Sequence, residues 1–118
     1  MLDDGTSALA AYVIYSSDNV PIRLLAINTN YFDGTTGVRT NSTFTFTGLQ
    51  TTSPERSAAA KRMTAASALA LSNITIAGSP SFTANCASTG SAMLETVLVV
   101  NGTLSVNVQA SEALIVLL

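Results

Sequence analysis

The dipeptide Asn101-Gly102 restricts the possible folds more than any other feature, because it separates two runs of residues typical of strands. The runs are Leu94 to Val100 and Thr103 to Ala110. Asn-Gly tolerates the positive φ angles of a type I′ turn, which predicts a hairpin with a two-residue loop. Such a loop fixes the register, and the predicted pairs are Val100 with Thr103, Val99 with Leu104, Val97 with Val106 and Glu95 with Val108.

The chain after this hairpin ends in an unbroken apolar run, Ala113 to Leu118. This run is too short to span a membrane and suits a central strand that is buried on both faces. A second hairpin is predicted near the N-terminus, where Ala8 to Ser17 and Val20 to Tyr31 flank a polar turn. Its second arm is interrupted by side chains that we expect to close a bulge or to tie down the next loop: Asn28, Thr29 and Asn30.

Period-two patterning predicts a further strand between Val38 and Gly48, in which Phe44 and Phe46 share one face and threonines share the other. Ser57 to Ser72 is ambiguous, because its composition favours a helix whereas a weak alternation suits a strand followed by a loop. The total is about seven or eight strands with turn signals between them. The pattern therefore predicts an all-β fold, an antiparallel β-sandwich.

Length and composition exclude several classes of function. The 118 residues suffice for one domain with its own core, which we place at residues 8–118 after a lead-in of residues 1–7. A net charge of -2 with only five basic residues argues against a nucleic-acid or anionic-membrane surface. The chain has no histidine, the commonest general base and zinc ligand, and Cys86 is its single cysteine. We therefore predict no catalytic triad, no metal cluster, no cofactor and no internal disulfide.

Three Asn-x-Thr sequons bear on localisation, at Asn41, Asn73 and Asn101. Their number is close to chance for this composition, but Asn101 lies at the predicted hairpin tip and Asn41 in a polar stretch that enters a strand. A glycan would stay exposed at both positions. The first five residues have no basic segment or apolar core of a signal peptide. We therefore expect a secreted glycoprotein that is a piece of a longer precursor.

Five blocks of sequence together resemble one known family. They run from about Ala8 to Leu118 and read AAYVIYSSDNVPIRLLAINTNYF, RT, KRMTAASA, ITIAGSPSF and LSVNVQASEALIVLL. In these blocks the chain is similar to the C-terminal β domain of glycoside hydrolase family 79, the fungal β-glucuronidases and 4-O-methylglucuronidases. The resemblance implies that Lys61 to Thr64 closes a strand and that Ala65 to Asn73 is a loop, against the helical propensity.

The resemblance also implies a function. Members of this family place such a domain after a (β/α)₈ barrel, whose strand ends hold the two glutamates of a retaining mechanism. The chain has no room for a barrel, so the implied role is a noncatalytic accessory domain that packs against the barrel and supports its active-site loops. Only Glu95 and Glu112 suit partly buried carboxylates. We expect Glu112 to accept backbone or arginine hydrogen bonds and Glu95 to lie at the sheet margin, whereas a pocket gathering two acids would contradict this interpretation.

Two alternatives stay open. Family domains of this kind commonly gain a strand from residues before the barrel, so the resemblance implies an open sheet edge, which is a template for self-association. The first alternative is therefore a self-assembling structural protein. The second is a weak carbohydrate-binding module, suggested by aromatic residues near one hairpin: Tyr12, Tyr15, Tyr31 and Phe32. Cys86 is expected either to form a disulfide with a cysteine outside this chain or to stay a buried thiol.

Overall fold

The computed structural model describes residues 6–35, 37–50, 52–78, 81–82 and 87–118, with the backbone alone for 81–82 and 88–89. Every regular element in these residues is a strand. The strands are β1 (Leu9–Tyr15), β2 (Pro21–Asn28), β3 (Asn41–Phe46), β4 (Glu55–Thr64), β5 (Thr75–Ile76), β6 (Ser81–Phe82), β7 (Ser88–Thr89), β8 (Glu95–Val100), β9 (Thr103–Gln109) and β10 (Glu112–Leu117). The predicted all-β class is confirmed.

One antiparallel sheet contains eight of these strands, in the order β1-β2-β10-β4-β8-β9-β3, with β5 paired to β4. Strands β6 and β7 form a separate ribbon. The sheet divides at the β8–β9 hairpin, because these two strands pair only at Val99–Leu104 and Val100–Thr103. Beyond that point β8 stays with β4, and β9 stays with β3. The result is a five-stranded layer (β1, β2, β10, β4 and β8), with the two-residue β5 beside β4 at its margin, facing a two-stranded layer (β9 and β3).

The core lies between these two layers, and both layers contribute alternate side chains to it. The five-stranded layer supplies Leu24, Ala26, Ala58, Ala60, Val99, Leu114 and Val116, and the two-stranded layer supplies Phe44, Phe46, Leu104, Val106 and Val108. Phe44 and Phe46 are thus core residues, as their spacing predicts. The sandwich forms because each layer has one apolar face that must be removed from water.

The Asn101-Gly102 turn has the predicted geometry, with φ angles of 48° and 72°. The pairs next to the turn are confirmed, but the predicted pairs farther along the hairpin are wrong. Glu95 lies opposite Ala60 of β4, and Val108 lies opposite Ser42 of β3. The turn alone predicts that β8 and β9 pair along their full length. In the structure each strand instead pairs over six residues with another strand, β8 with β4 and β9 with β3, so the two strands enter different layers.

The segment with helical propensity is a strand as far as Thr64, and a loop follows from Ala65 to Ile74. The resemblance therefore gave the correct structure here, and propensity gave the wrong one. Strand β4 lies between β10 and β8, where its small inward residues Ala58 and Ala60 pack against the core. Tertiary pairing on both edges overrides a propensity difference of about 0.5 kcal/mol per residue.

Strand β10 is central, as predicted, because it pairs with β2 on one side and β4 on the other. Its inward residues Leu114 and Val116 are each 1% exposed. Its outward residues Ala113, Ile115 and Leu117 are only half-buried. The prediction of burial on both faces is therefore correct for one face.

Asn28 ties the two layers together at one end of the sandwich. The side chain is 1% exposed, and its Nδ2 donates to the Val108 carbonyl at 3.0 Å and to Ser42 Oγ at 3.2 Å. Its Oδ1 accepts from the backbone N–H and the side-chain amide of Asn30 at 3.1 and 2.9 Å. All polar atoms of this buried amide are thus engaged, and the predicted role in fixing the next loop is confirmed.

Candidate functional site

A cluster of charged side chains lies at the end of the sandwich where β8 and β9 separate. We call it the arginine clamp, and its members are Arg39, Arg62, Thr64, Glu95 and Glu112. Strand β4 places Arg62 opposite Leu114, on the inward side of the sheet. Glu95 begins β8 and Glu112 begins β10, so the two carboxylates approach Arg62 from the two strands that flank β4.

Arg62 is the centre of the clamp. Its Nε and Nη2 donate to the two oxygens of Glu95 at 2.7 and 3.0 Å, which is the forked geometry that makes arginine–carboxylate pairs specific. Its Nη1 donates to Glu112 Oε2 at 2.9 Å and to the Asn107 carbonyl at 3.1 Å. The hydrogen bond to Glu95 is the main factor that raises the pKa of Arg62, so the guanidinium stays charged.

Glu112 is the buried carboxylate of the clamp, with 5% of its surface exposed. Oε1 accepts from Thr64 Oγ1 at 2.6 Å, and Oε2 accepts from the Gln109 backbone N–H at 3.1 Å as well as from Arg62. Burial alone would raise the pKa of Glu112, but these hydrogen bonds and the charge of Arg62 together outweigh burial and lower it. The predicted role of Glu112 as an acceptor of backbone and arginine hydrogen bonds is borne out by this geometry.

The clamp replaces the missing ladder between β8 and β9. The Asn107 carbonyl and the Gln109 N–H belong to strand β9, and the pairing of β9 with β8 ends at Leu104. Arg62 and Glu112 satisfy these two backbone groups. Because an unpaired backbone group that is shielded from water is costly, these contacts reduce the penalty at the point where the two layers separate.

Arg39 links the clamp to three neighbouring segments of chain. Nε donates to the Ala110 carbonyl at 2.8 Å, Nη1 to the Ala65 carbonyl at 3.1 Å and Nη2 to the Ser111 carbonyl at 3.3 Å. The guanidinium also lies 5.5 Å from the ring centroid of Phe32 and 3.6 Å from Glu112. It therefore holds the β9–β10 turn and the start of the 65–74 loop against the sandwich.

The geometry suits structural support better than acid–base chemistry. Glu95 and Glu112 do converge on Arg62, and a shallow cleft of about 290 Å³ is lined by Glu112 and Arg62 but not by Glu95. Retaining glycosidases need one carboxyl group with a raised pKa and a second that is free to attack the sugar. Here the pKa of Glu112 is lowered, and both oxygens of each glutamate accept hydrogen bonds. The convergence of the two acids thus reflects shared pairing with one arginine.

The part of the chain that the structure describes contains no group of three or more side chains able to hold a metal ion. Within the same residues, no helix has the length and apolarity that a membrane crossing needs.

Comparison with known proteins places the chain in a family. The Glycosyl hydrolase family 79 C-terminal beta domain matches residues 11–115. The chain belongs to this family. A crystal structure of a 4-O-α-L-rhamnosyl-β-D-glucuronidase from Fusarium oxysporum 12S, in complex with Rha-GlcA, superposes with a TM-score of 0.84 at 39% identity. The match covers 99% of this chain and 25% of that one, so the chain spans about a quarter of the solved relative. No curated protein sequence matches the chain.

The arginine clamp takes most of its residues from the sequence blocks that resemble the family. Three of the blocks that resemble family 79 supply its main members: RT contains Arg39, KRMT contains Arg62 and Thr64, and ASEA contains Glu112. Sequence reasoning singled out the two glutamates but missed both arginines. A signal was present, because a glutamate at the start of an apolar central strand needs a cationic partner and the chain has only five basic residues.

The three sequon asparagines are all exposed, Asn41 at the start of β3, Asn73 in the 65–74 loop and Asn101 at the hairpin tip. Cys86, the candidate for an external disulfide, lies outside the described residues.

The aromatic residues proposed as a sugar platform are separated in the structure. Tyr15 ends β1 and Tyr31 follows β2, so the two lie at opposite ends of the same ribbon, on the order of 20 Å apart. Phe32 is covered by Arg39. These side chains do not form one exposed row.

Proposed function

We propose that this chain is the noncatalytic accessory domain of a secreted, β-glucuronidase-like glycoside hydrolase, in which it packs against the catalytic barrel and supports the active-site loops. The observation that supports this proposal is the state of Glu95 and Glu112. Both carboxylates are bound to Arg62, and the more buried one has a lowered pKa, which is the opposite of what a general acid needs. The catalytic glutamates of such an enzyme therefore lie outside this chain.

An activity assay tests the proposal. The purified 118-residue chain, incubated at micromolar concentration with an aryl β-glucuronide and with a rhamnosyl-glucuronide, should release no aryl alcohol, glucuronic acid or rhamnosyl-glucuronic acid. The Glu95→Gln and Glu112→Gln variants are the matched controls. Turnover by the purified chain that disappears in either variant would contradict the proposal, because it would place the reacting carboxylates within this domain.

Secretion and glycosylation belong to the same proposal. Asn41, Asn73 and Asn101 are exposed, so each can accept a glycan without rearrangement of the sandwich. We place the domain at residues 8–118, with residues 1–7 as its lead-in, and expect Cys86 either to pair with a cysteine outside this chain or to stay a buried thiol. Expression with a signal peptide in a fungal host should give a product whose mass falls when N-glycans are removed enzymatically.

The two alternatives predict different behaviour. A self-assembling protein would join copies through the open edges of β1 and β3, the outermost strands of the sheet. Sedimentation of the isolated chain at high concentration would then show large species. A carbohydrate module would show spectral shifts on titration with uronic-acid oligosaccharides. We expect no spectral shift, because the tyrosines are dispersed. A chain that stays monomeric at high concentration would exclude self-assembly.

A further inference from the structure

The outward faces of the two layers have opposite character. The outward side chains of β9 and β3 are polar, and they are Ser105, Asn107 and Gln109 with Asn41, Thr43 and Thr45. Thr43 Oγ1 donates to Asn107 Oδ1 at 2.8 Å, and the hydroxyls of Thr45 and Ser105 are 3.1 Å apart. This is the alternation, apolar inside and polar outside, that an antiparallel layer shows when its outer side faces water.

The five-stranded layer breaks this alternation. Inward and outward positions follow from the register, and most outward positions are apolar. We call this surface the outer apolar face, and it consists of Ala10, Tyr12 and Ile14 on β1, Leu25 and Ile27 on β2, Ala113, Ile115 and Leu117 on β10, Ala59 and Met63 on β4, Leu98 and Val100 on β8, and Ile76 on β5.

The outer apolar face is accessible in this chain. Five of its residues are exposed, namely Met63 (46%), Leu98 (49%), Val100, Ile76 and Ile14, and the remaining residues of the face are half-buried. Isolated exposed apolar residues are normal on a protein surface, but a contiguous sheet of them marks a surface that another body covers. Strand β10 is the clearest indication of such a covered surface, since a strand that is apolar on both faces is typical of sheets covered on both sides.

The 65–74 loop carries further exposed apolar side chains, and it begins two residues after Met63 of β4. The loop follows β4 directly and contains Leu69 and Leu71, of which Leu71 is 99% exposed. It is nevertheless fixed, because Arg39 donates to the Ala65 carbonyl and the Ala68 N–H donates to the Phe32 carbonyl at 2.8 Å. An anchored loop that presents leucines to solvent is suited to contact a second body.

We propose that the outer apolar face is the surface on which the catalytic part of the family 79 glycosidase packs. The inference rests on the proposed function and adds to it the side of the sandwich that docks. The occupant follows from the size of the relative, in which the matched region is 25% of the chain and the remainder is three times larger. A domain joined to so large a body needs an apolar interface to hold its position, and only the five-stranded layer offers one among the described residues.

The charged residues of this face favour the catalytic part, and not a second copy of the chain, as its occupant. Lys61 and Arg23 are outward residues within this face, and neither forms an ion pair with a described residue. Two copies packed through this face would bring four such cations into one interface, with Glu55 at its margin as the only outward acid. Like charges within an interface disfavour association. A catalytic part with carboxylates opposite Lys61 and Arg23 would instead complement the face.

The test uses the Fusarium rhamnosyl-glucuronidase with its matched quarter replaced by this chain, which the TM-score of 0.84 permits. Two variants place a carboxylate on the outer apolar face: Leu98→Glu and Ile115→Glu. Ile115 lies opposite Lys61, so the new carboxylate has a partner and the isolated domain keeps its fold. The matched controls place the same charge on the polar layer: Thr45→Glu and Ser105→Glu.

The measurements are the yield of soluble active chimera and the association of the separately expressed catalytic part with the isolated chain. We expect the Leu98→Glu and Ile115→Glu variants to weaken association at least tenfold and to lower the chimera yield, whereas the two controls leave both unchanged. Circular dichroism of the isolated variants confirms that each still folds.

Several outcomes would overturn the inference. It fails if face variants and controls behave alike, or if the unmodified chain neither folds in the chimera nor associates with the catalytic part. It also fails if the isolated chain is a dimer that Leu98→Glu dissociates, because a second copy would then occupy the face. None of these results involves turnover by the isolated chain, so they are distinguishable from failure of the proposed function.

Discussion

Replacement of Arg62 by methionine measures what the arginine clamp contributes to stability. Arg62→Met removes the cation and keeps a long, flexible side chain. Glu112, which is 5% exposed, would then lack its closest cationic partner, and breaking a buried ion pair costs about 3–5 kcal/mol. Thr64 and the Gln109 N–H still donate to Glu112, so we expect the lower end, about 3 kcal/mol. The Glu95 side chain is 40% exposed, and loss of its pair adds less than about 1 kcal/mol.

Two further variants at Arg62 distinguish the contribution of its charge from the contribution of its forked hydrogen bonds. Arg62→Lys keeps the charge but cannot donate to both oxygens of Glu95 in a forked pair, so its loss of stability should be intermediate. The double variant Arg62→Met with Glu112→Leu removes both buried charges. It should therefore lose less stability than the two single variants added together.

The assay is urea unfolding of the isolated chain at neutral pH, followed by far-ultraviolet circular dichroism. A loss of about 3 kcal/mol should lower the urea midpoint with an unchanged slope. For a domain of this size the melting temperature should fall by on the order of 10 °C. A loss below about 1 kcal/mol would refute the reasoning, because Arg62 and Glu112 would then behave as an exposed pair. Strict additivity in the double variant would also contradict it.

Three further predictions concern pH, the hairpin turn and the sequons. Because the fold lowers the pKa of Glu112, this carboxylate stabilises the domain above its unfolded pKa of about 4.3, and the contribution is lost as the pH falls through the folded value. Glu112→Gln should therefore flatten the loss of stability in acid, as measured by urea unfolding across that range. Gly102→Ala should cost about 1–2 kcal/mol in the same assay, because the residue has φ 72° and a Cβ would lie 2.8 Å from the Leu49 carbonyl oxygen. Thr43→Val removes the first sequon without changing Asn41, so a product secreted from a fungal host should lose the mass of one glycan, and an unchanged mass would show that Asn41 is not modified.

The features predicted correctly from the sequence depend on local chemistry. Asn101-Gly102 defines its turn because the preference of these residues for positive φ needs no tertiary partner. Phe44 and Phe46 were assigned to the core because period two is a property of the strand itself. The predicted pairing of Glu95 with Val108 was wrong because it is not determined locally. The partners of these residues depend on which other strands lie beside β8 and β9, and the sequence of the hairpin does not contain that information.

The 57–72 segment and the clamp show where sequence reasoning needed the fold. Helical propensity at β4 is overridden because two neighbouring strands pair with it and its small residues fill the core. The clamp joins Arg62 to Glu95 and Glu112, which are 33 and 50 positions away in sequence. Such contacts follow only from the order β10-β4-β8, in which each strand is adjacent to one that is distant along the chain.

The clamp and the outer apolar face have separable roles, because they lie on opposite sides of the same strands. On β4, Arg62 is inward and its neighbours Lys61 and Met63 are outward; on β10, Glu112 is inward and Ile115 is outward. We therefore expect a substitution in the clamp to change the stability of the domain itself, and a substitution on the face to change only the proposed association with the catalytic part. The Arg62→Met variant should be unstable both alone and in the chimera, whereas Leu98→Glu should be impaired only in the chimera. The clamp thus satisfies buried charges inside the sandwich, whereas the apolar exterior of the five-stranded layer is the surface that we propose for docking.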